Sequence, residues 1–442
     1  MEKNVKNQTY RISSFCEVKS GKRLPLGCDF STVPTEYKYI RARDIKNGKI
    51  DISDCAYIDD FVKAKIKKYI IEKNDIAITV VANIGDVGIC DADADGANLT
   101  ENAVRLTNFN SRIVFPKYLA YYLAQPFMKQ YMEGLAIGAA QAKLGIYKVN
   151  NISVELPSVE EQEKIANIIN KYDNLIENNN KRIKILEQMA ENLYKEWFVR
   201  FRFPGHETTR FVPSNMGKIP STFTLAKMQD VFEYYIGGGW GEDEYSSDFP
   251  VEAKVIRGAD FPFVERGDLG TCPNRFHKES NYKARKLEPG DIILEVSGGT
   301  AEQPVGRTIL VSQQMLDRFN GQVICASFCK LVRLKKEKIS PVYFYYWMQF
   351  LYETRIIDRF QLQSTGIINF KFEYFLKKGD VMLPPSKIMK DFEDLVSPIH
   401  AQIEKLAMET ENLIKQRDLL LPRLMSGKLE ICKGVNNERY SK

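Results

Sequence analysis

Two glycine-bearing stretches of this chain group the side chains suited to reading a base edge. Gly138-Ala139-Ala140-Gln141-Ala142-Lys143-Leu144-Gly145-Ile146-Tyr147-Lys148 carries an amide, two lysines and a tyrosine, and Gln363-Ser364-Thr365-Gly366-Ile367-Ile368-Asn369-Phe370-Lys371 answers it in the second half. Glutamine and asparagine amides match the adenine edge with two hydrogen bonds, and a lysine ammonium meets guanine or phosphate. Arg41, Arg43 and Arg257 occupy matching places in the two halves and suit phosphate or guanine. The candidate DNA contacts are therefore Arg41, Arg43, Gln141, Lys143, Tyr147, Arg257, Thr365, Asn369 and Lys371. Each taken singly reads equally well as a solvated loop residue; loops are where binding residues concentrate.

Other chemistries find less support. Pro289-Gly290-Asp291 followed by Glu295 has a nuclease-like outline, but Ser297 stands where a lysine is needed. There is no Asn-Pro-Pro-aromatic or Asp-Pro-Pro-aromatic tetrapeptide for adenine methylation and no Gly-x-x-x-x-Gly-Lys-Ser/Thr phosphate loop. His206, His277 and His400 form no local cluster. Cys16, Cys28, Cys55, Cys90, Cys272, Cys325, Cys329 and Cys432 show no Cys-x-x-Cys spacing, so no zinc site is expected. Val323-Ile324-Cys325-Ala326-Ser327-Phe328 reads instead as a buried strand in which cysteine is a small hydrophobe. We expect no catalytic residue, metal or cofactor in this chain.

The net charge of +6 over 442 residues permits a nucleic-acid partner without requiring one. At 44% hydrophobic and 27% charged residues, the composition is that of a globular protein of two or three domains. No apolar run approaches membrane-spanning length and the N-terminal residues lack the apolar core of a signal peptide, so a reduced, cytoplasmic protein is expected.

The elements that must position the candidate loops occur twice. Ile40-Arg41-Ala42-Arg43-Asp44 returns as Ile256-Arg257-Gly258-Ala259-Asp260, and Asn74-Asp75-Ile76-Ala77-Ile78 as Gly290-Asp291-Ile292-Ile293-Leu294, both at a shift of 216. Val154-Glu155-Leu156-Pro157-Ser158 returns as Val381-Met382-Leu383-Pro384-Pro385 at 227, so the second copy carries extra residues in between. Residues 10–153 and 222–380 read mainly as short strands, with helical stretches over Pro116 to Met132 and Pro341 to Phe360. The aromatics of those stretches recur at helical spacing and belong to a core rather than to base stacking. The expected organisation is a first recognition domain over 1–153, a long helix over 154–203, a linker and second recognition domain over 204–380, a second long helix over 381–430 and a tail over 431–442.

Each long helix carries an apolar seam in alternating steps of four and three. In the first it runs through Ile165, Ile169, Tyr172, Ile176, Asn179, Ile183, Leu186, Ala190, Leu193 and Trp197, with Asn179 as a polar register-setter. In the second it runs through Phe392, Val396, Ile399, Ile403, Leu406, Thr410, Leu413, Arg417 and Leu420. The two stripes would bury each other as an antiparallel coiled coil with pseudo-two-fold symmetry, a rod of about 60 Å at ~1.5 Å per residue. The fold class is α+β.

Ile152-Ser153-Val154-Glu155-Leu156-Pro157-Ser158-Val159-Glu160-Glu161-Gln162-Glu163-Lys164-Ile165 and the helix behind it resemble the specificity subunits of Type I restriction–modification enzymes. Leu421-Pro422-Arg423-Leu424-Met425-Ser426-Gly427-Lys428-Leu429 resembles the close of that family's second helix, and the Asn74 and Gly290 segments its Gly-Asp-Ile-Leu turn. The second copy departs from the pattern at Ser386-Lys387-Ile388-Met389-Lys390, and the first has Asn74 where glycine is usual, a residue that tolerates the same turn. The resemblance implies a non-catalytic subunit whose two recognition domains each read half of a split site in double-stranded DNA. It also implies two docked methyltransferase subunits holding S-adenosylmethionine, and restriction–translocation subunits using ATP and magnesium. From a different class, the chain suits a bivalent coiled-coil scaffold for protein partners, and a self-sufficient nuclease or methyltransferase is disfavoured by the missing motifs.

Overall fold

The computed structural model describes residues 7–136, 142–265, 272–300, 303–364 and 367–429. It divides into two compact units, one formed by residues 1–174 with 415–442 and the other by 175–414. Each unit thus takes one globular module together with parts of both long helices, so the compact units cut across the five expected segments.

In the first unit, Ile76–Thr79 is buried at every residue, as a run of β-branched and small apolar residues demands when both faces are covered. It pairs antiparallel with Ala103–Thr107 and Val87–Ile89, in a sheet ordered Glu17–Ser20, Ala103–Thr107, Ile76–Thr79, Val87–Ile89, Gly48–Ile50, Ile45–Lys46. A second sheet sets Tyr37–Ile40 between Ala56–Ile58 and Asn98–Leu99. The strand Ser153–Leu156 pairs with Gln8–Arg11, so it belongs to the module rather than to the helix it precedes.

The second unit repeats the first four strands of the main sheet and the whole of the smaller one. Phe232–Gly237, Cys329–Leu334, Ile292–Glu295 and Thr308–Leu310 form its main sheet in the same order. Val251–Ile256 lies between Asn274–His277 and Val323–Cys325, and Thr224–Lys227 pairs with Asp380–Leu383. Its additions are a hairpin, Phe211–Ser214 with Gly217–Pro220, and a three-stranded sheet of Ser297–Gly299, Ile367–Phe370 and Gln361–Ser364. Asn74 and Gly290 precede equivalent strands at φ 71° and 90°, which explains why asparagine serves where glycine is usual.

Both expected module helices are shorter than the sequence suggests. The first breaks into Pro116–Leu123 and Pro126–Ala136, because Pro126 lacks the N–H needed to continue the earlier helix. The second spans Pro341–Glu353, starts from a Ser340 cap whose Oγ accepts from Tyr343 N at 3.3 Å, and gives way to a tight turn at Ile356–Phe360. Tyr118, Tyr121, Tyr343, Phe344, Tyr346 and Trp347 are buried, as their spacing predicts. The strand expected over 323–328 stops at Cys325, and Ser327 and Phe328 are exposed.

The first long helix is Val159–Tyr194, ending in a wider turn over Lys195–Val199; the second is Ser386–Met425 and continues through Pro398 and Pro422, each of which forfeits a backbone hydrogen bond. In the first unit Ile165 and Ile169 share a core with Leu424 and Met425, and Leu420 packs against it half-buried. In the second unit Ile183 and Leu186 pack with Ile399, Ile403 and Leu406. There too Phe392 and Val396 join Tyr194, Trp197 and Phe198 in an aromatic core, with Leu193 at its margin. Ring centroids there lie 4.8 Å apart for Phe198 and Tyr343 and 5.1 Å for Phe198 and Phe392. The seam drifts from the expected positions. Tyr172, Ile176, Leu193 and Leu413 are only half-buried, whereas Asp173 and Tyr194, one residue along, are fully inside. A helix of 3.6 residues per turn slides past a strict 3.5 repeat in this sense. Asn179 and Thr410 are buried polar positions in that seam. No described helix is long and apolar enough to cross a membrane.

Candidate nucleic-acid interface

Sheet register decides which loops meet. In the first module Ser20 faces Val104 and Ala103 faces Thr79, so the loops after Ser20 and Thr79 and the turn before Ala103 emerge at one end of the sheet. The backbone there is close-packed. A β-carbon on Gly21 would lie 2.0 Å from the carbonyl oxygen of Thr100, and one on Gly238 would lie 2.1 Å from that of Ala326, so both copies require glycine. Equivalent turns close at Thr100–Ala103, with Ala103 N donating to Thr100 O at 3.2 Å, and at Ala326–Cys329, with Cys329 N donating to Ala326 O at 2.8 Å.

The two candidate loops are pinned to this end in the same way. Lys143 bridges Val81, and Asn369 pairs with Ser297. Leu144 N donates to Val80 O at 2.9 Å and Phe370 N to Val296 O at 2.8 Å. Lys143 and Lys371 are exposed, and Tyr147 is 80% exposed on the short helix Ile146–Asn150. Asn369 Oδ1 accepts from Ser297 Oγ at 2.7 Å, which orients the amide. Gln141 and Thr365 lie outside the described residues.

The arginines divide. Arg41 lays its guanidinium on the buried Asp44, with Nε to Oδ2 and Nη2 to Oδ1 both 3.0 Å, and also donates to the Asp54 carbonyl. Arg257 does the same with the buried Asp260 at 2.9 Å and 2.9 Å. In both, the same carboxylate accepts from the arginine's own backbone N–H, closing a tight turn. These two forks are engaged in holding the turn, a geometry the sequence reading of phosphate or guanine clamps did not anticipate. Arg43, beside the first turn, is 62% exposed at its side chain and reaches Asp54 Oδ2 at 2.8 Å.

Beneath the interface lie charges that the sequence reading missed. Arg105 donates to Asp75 at 2.8 Å and Arg333 to Asp291 at 2.8 Å; the aspartates are repeat-equivalent, but Arg333 lies two residues further along its strand than Leu331, the counterpart of Arg105. Each aspartate also accepts from a backbone N–H three residues before it, Glu72 and Glu288 respectively. The signal was partial: an aspartate at the same place before two apolar strands, with the arginines at different places in the strands beside them. The second module adds the buried Glu295, which takes Arg307 Nε at 2.8 Å, while Arg307 Nη2 also donates to Gly258 O at 2.8 Å. Thr79 occupies that place in the first module and accepts from Asp86 N at 2.9 Å. Asp291 and Glu295, the carboxylates of the nuclease-like outline, are therefore both neutralised by arginine.

Residues 4–188, the first module and most of its helix, match the sequence family described as "Type I restriction modification DNA specificity domain". The Type I restriction enzyme MjaIX specificity subunit of Methanocaldococcus jannaschii is 26% identical over 338 residues, covering 74% of this chain and 73% of that one. The MjaVIII specificity subunit of the same organism is 23% identical over 434 residues, covering 96% and 93%. The fold is shared with the crystal structure of the Type I restriction–modification S subunit from M. genitalium, at a TM-score of 0.58 and 15% identity, covering 96% of this chain and 97% of that one. Over most of its length the chain is similar to Type I restriction–modification specificity subunits, and its first module matches their DNA specificity domain.

Proposed function

We propose that this chain is the non-catalytic DNA-reading subunit of a Type I restriction–modification complex, each module reading one half of a split site. The observation that carries this reading is the duplicated loop end, where Lys143 and Asn369 are pinned by equivalent backbone hydrogen bonds in two separate frameworks. Arg43, Lys143, Tyr147, Asn369 and Lys371 make the contacts, and Arg41 and Arg257 hold the turns beside them; Gln141 and Thr365 belong to the same loops. Within the first unit the start of one long helix packs on the end of the other, and within the second the reverse holds, which supports an antiparallel coiled coil with pseudo-two-fold symmetry. A split site with a gap near one turn of DNA (~10 bp) presents both halves on one face of the duplex.

In this reading two methyltransferase subunits dock on the chain and bring S-adenosylmethionine, and restriction–translocation subunits bring ATP and magnesium. The experiment is a map of methylated adenines in DNA from cells co-expressing this chain with its methyltransferase partner. A split motif, modified on opposite strands and dependent on this chain, is the expected result. A continuous motif, or no new methylation, overturns it. Binding that is indifferent to salt favours the protein-scaffold alternative, since DNA affinity falls steeply as rising salt lowers the gain from releasing counterions at each phosphate contact. Inserting one heptad in the first long helix changes the gap and leaves both half-sequences intact.

A further inference from the structure

The turn Ala326–Cys329 carries Phe328 at its outer corner, 64% exposed, at the end of the sheet where the candidate loops converge. The backbone that carries the ring is held in place. Val296 N donates to Phe328 O at 2.9 Å, Cys329 N closes the turn, and Ala326 N ties it to Ile256 O at 2.9 Å. Polar residues stand along the chain and across the sheet: Ser327, Ser297, Asn369 and, two residues on, Lys371. Two residues beyond Val296, Gly298 adopts φ +103° with nothing within 4 Å of where a β-carbon would point. A rigid turn that keeps a phenylalanine in water forgoes the gain of burying it, so the ring is matched to an apolar group brought by a partner.

If this end faces DNA, as proposed above, the partner group is limited. The major-groove edges of the bases present hydrogen-bond donors and acceptors and one apolar group, the C5-methyl of thymine. We infer that Phe328 reads a thymine methyl group in the half-site bound by the second module. The first module supports the assignment by contrast. Asn102 stands at the equivalent corner, tied by the same bond from Val80 N to Asn102 O at 2.7 Å, and its amide suits an adenine edge. One framework thus presents an apolar reader to one half-site and a hydrogen-bonding reader to the other.

The test uses the full chain with its co-purified partners and duplexes carrying the mapped split site. Each thymine of the second half is replaced singly by deoxyuridine, which removes the methyl and keeps the pairing. One replacement weakens binding about fourfold, the worth of one buried methyl group. Phe328→Ala loses a similar factor on the thymine duplex and nothing further on the deoxyuridine duplex, while Phe328→Leu retains sensitivity to the methyl. Replacements in the first half cost the natural chain and Phe328→Ala equally. Unchanged affinity of Phe328→Ala, or a deoxyuridine penalty that persists undiminished in it, overturns the inference and leaves the DNA-reading proposal standing. Absence of any site-specific binding by the natural chain overturns both.

Discussion

Tyr121 and Tyr346 stand at equivalent places in the two halves, and each points its hydroxyl at a long helix, but they meet different chemistry there. In the first unit the Tyr121 hydroxyl donates to Asp173 at 2.5 Å, and Arg417 donates to the other oxygen of that carboxylate at 2.9 Å. In the second unit the Tyr346 hydroxyl meets Nε2 of His400 at 2.6 Å. His400 occupies in its helix the place of Asp173, and the place of Arg417 is taken by the buried Ala190. The substitutions are coupled by electrostatics. A buried carboxylate needs a cation, whereas burial lowers the pKa of His400 from 6.5 to about 4, so a neutral ring needs none. Two copies of one anchor have diverged by changing both sides of a charge balance together.

The largest expected effect lies in the paired charges under the two sheets. Arg105→Met leaves the 5%-exposed Asp75 without its cation and destabilises the first unit by about 3–5 kcal/mol. Arg333→Met costs the second unit less, because the Arg333 side chain is 25% exposed and water reaches the pair. Urea denaturation followed by amide exchange in each sheet separates the two, and equal losses would break the comparison.

The next effect is a pH dependence confined to the second unit. Because the folded pKa of His400 is lowered, the unfolded chain takes up the proton first, and stability falls as pH drops from 6.5 towards 4, by up to about 3 kcal/mol. Burial raises the carboxyls of Glu191 and Glu404, which act in the opposite sense, so the term is isolated by difference against His400→Gln. A variant with the natural acid profile would remove His400 from the account.

Smaller again, Arg417→Ala destabilises the first unit by about 1–3 kcal/mol through the carboxylate it abandons, and Asp173→His in that background recovers most of it by copying the second anchor. Thermal midpoints of the single and double variants check this, and no recovery would mean the two anchors are not interchangeable. Least of all, Arg43→Ala changes stability by under about 0.5 kcal/mol, since its ion pair with Asp54 is exposed. Its affinity for DNA falls, with the salt dependence reduced by about one phosphate contact.

The duplicated frame was legible because it rests on local patterns. The Asn74 and Gly290 turns, the apolar strands behind them and the alternating seams of the long helices are each written in consecutive residues. The candidate loops were legible for the same reason, and Lys143 and Asn369 fall at equivalent positions. What escaped is non-local. Arg41 and Arg257 looked like phosphate clamps because the buried carboxylate three residues on reveals its burial only once the turn is packed. The strand expected through Phe328 stops three residues early because Ala326 bonds to Ile256, seventy residues away in the chain. His400 and Asp173 are equivalent by position, but the tyrosines that give them meaning lie more than fifty residues from them.

The first unit is closed by residues translated long after the rest of it. Asp173 waits for Arg417, 244 residues further on, and the core around Ile165 and Ile169 lacks Leu424 and Met425 until the second long helix is complete. The second unit, 175–414, is one uninterrupted stretch. On the ribosome the order of maturation is therefore inverted: the module made second can finish first, while the module made first stays open and exposed to proteases until the second helix has left the exit tunnel. A stop codon shortly after residue 414 would leave the nearby module whole and damage the one encoded at the far end of the message.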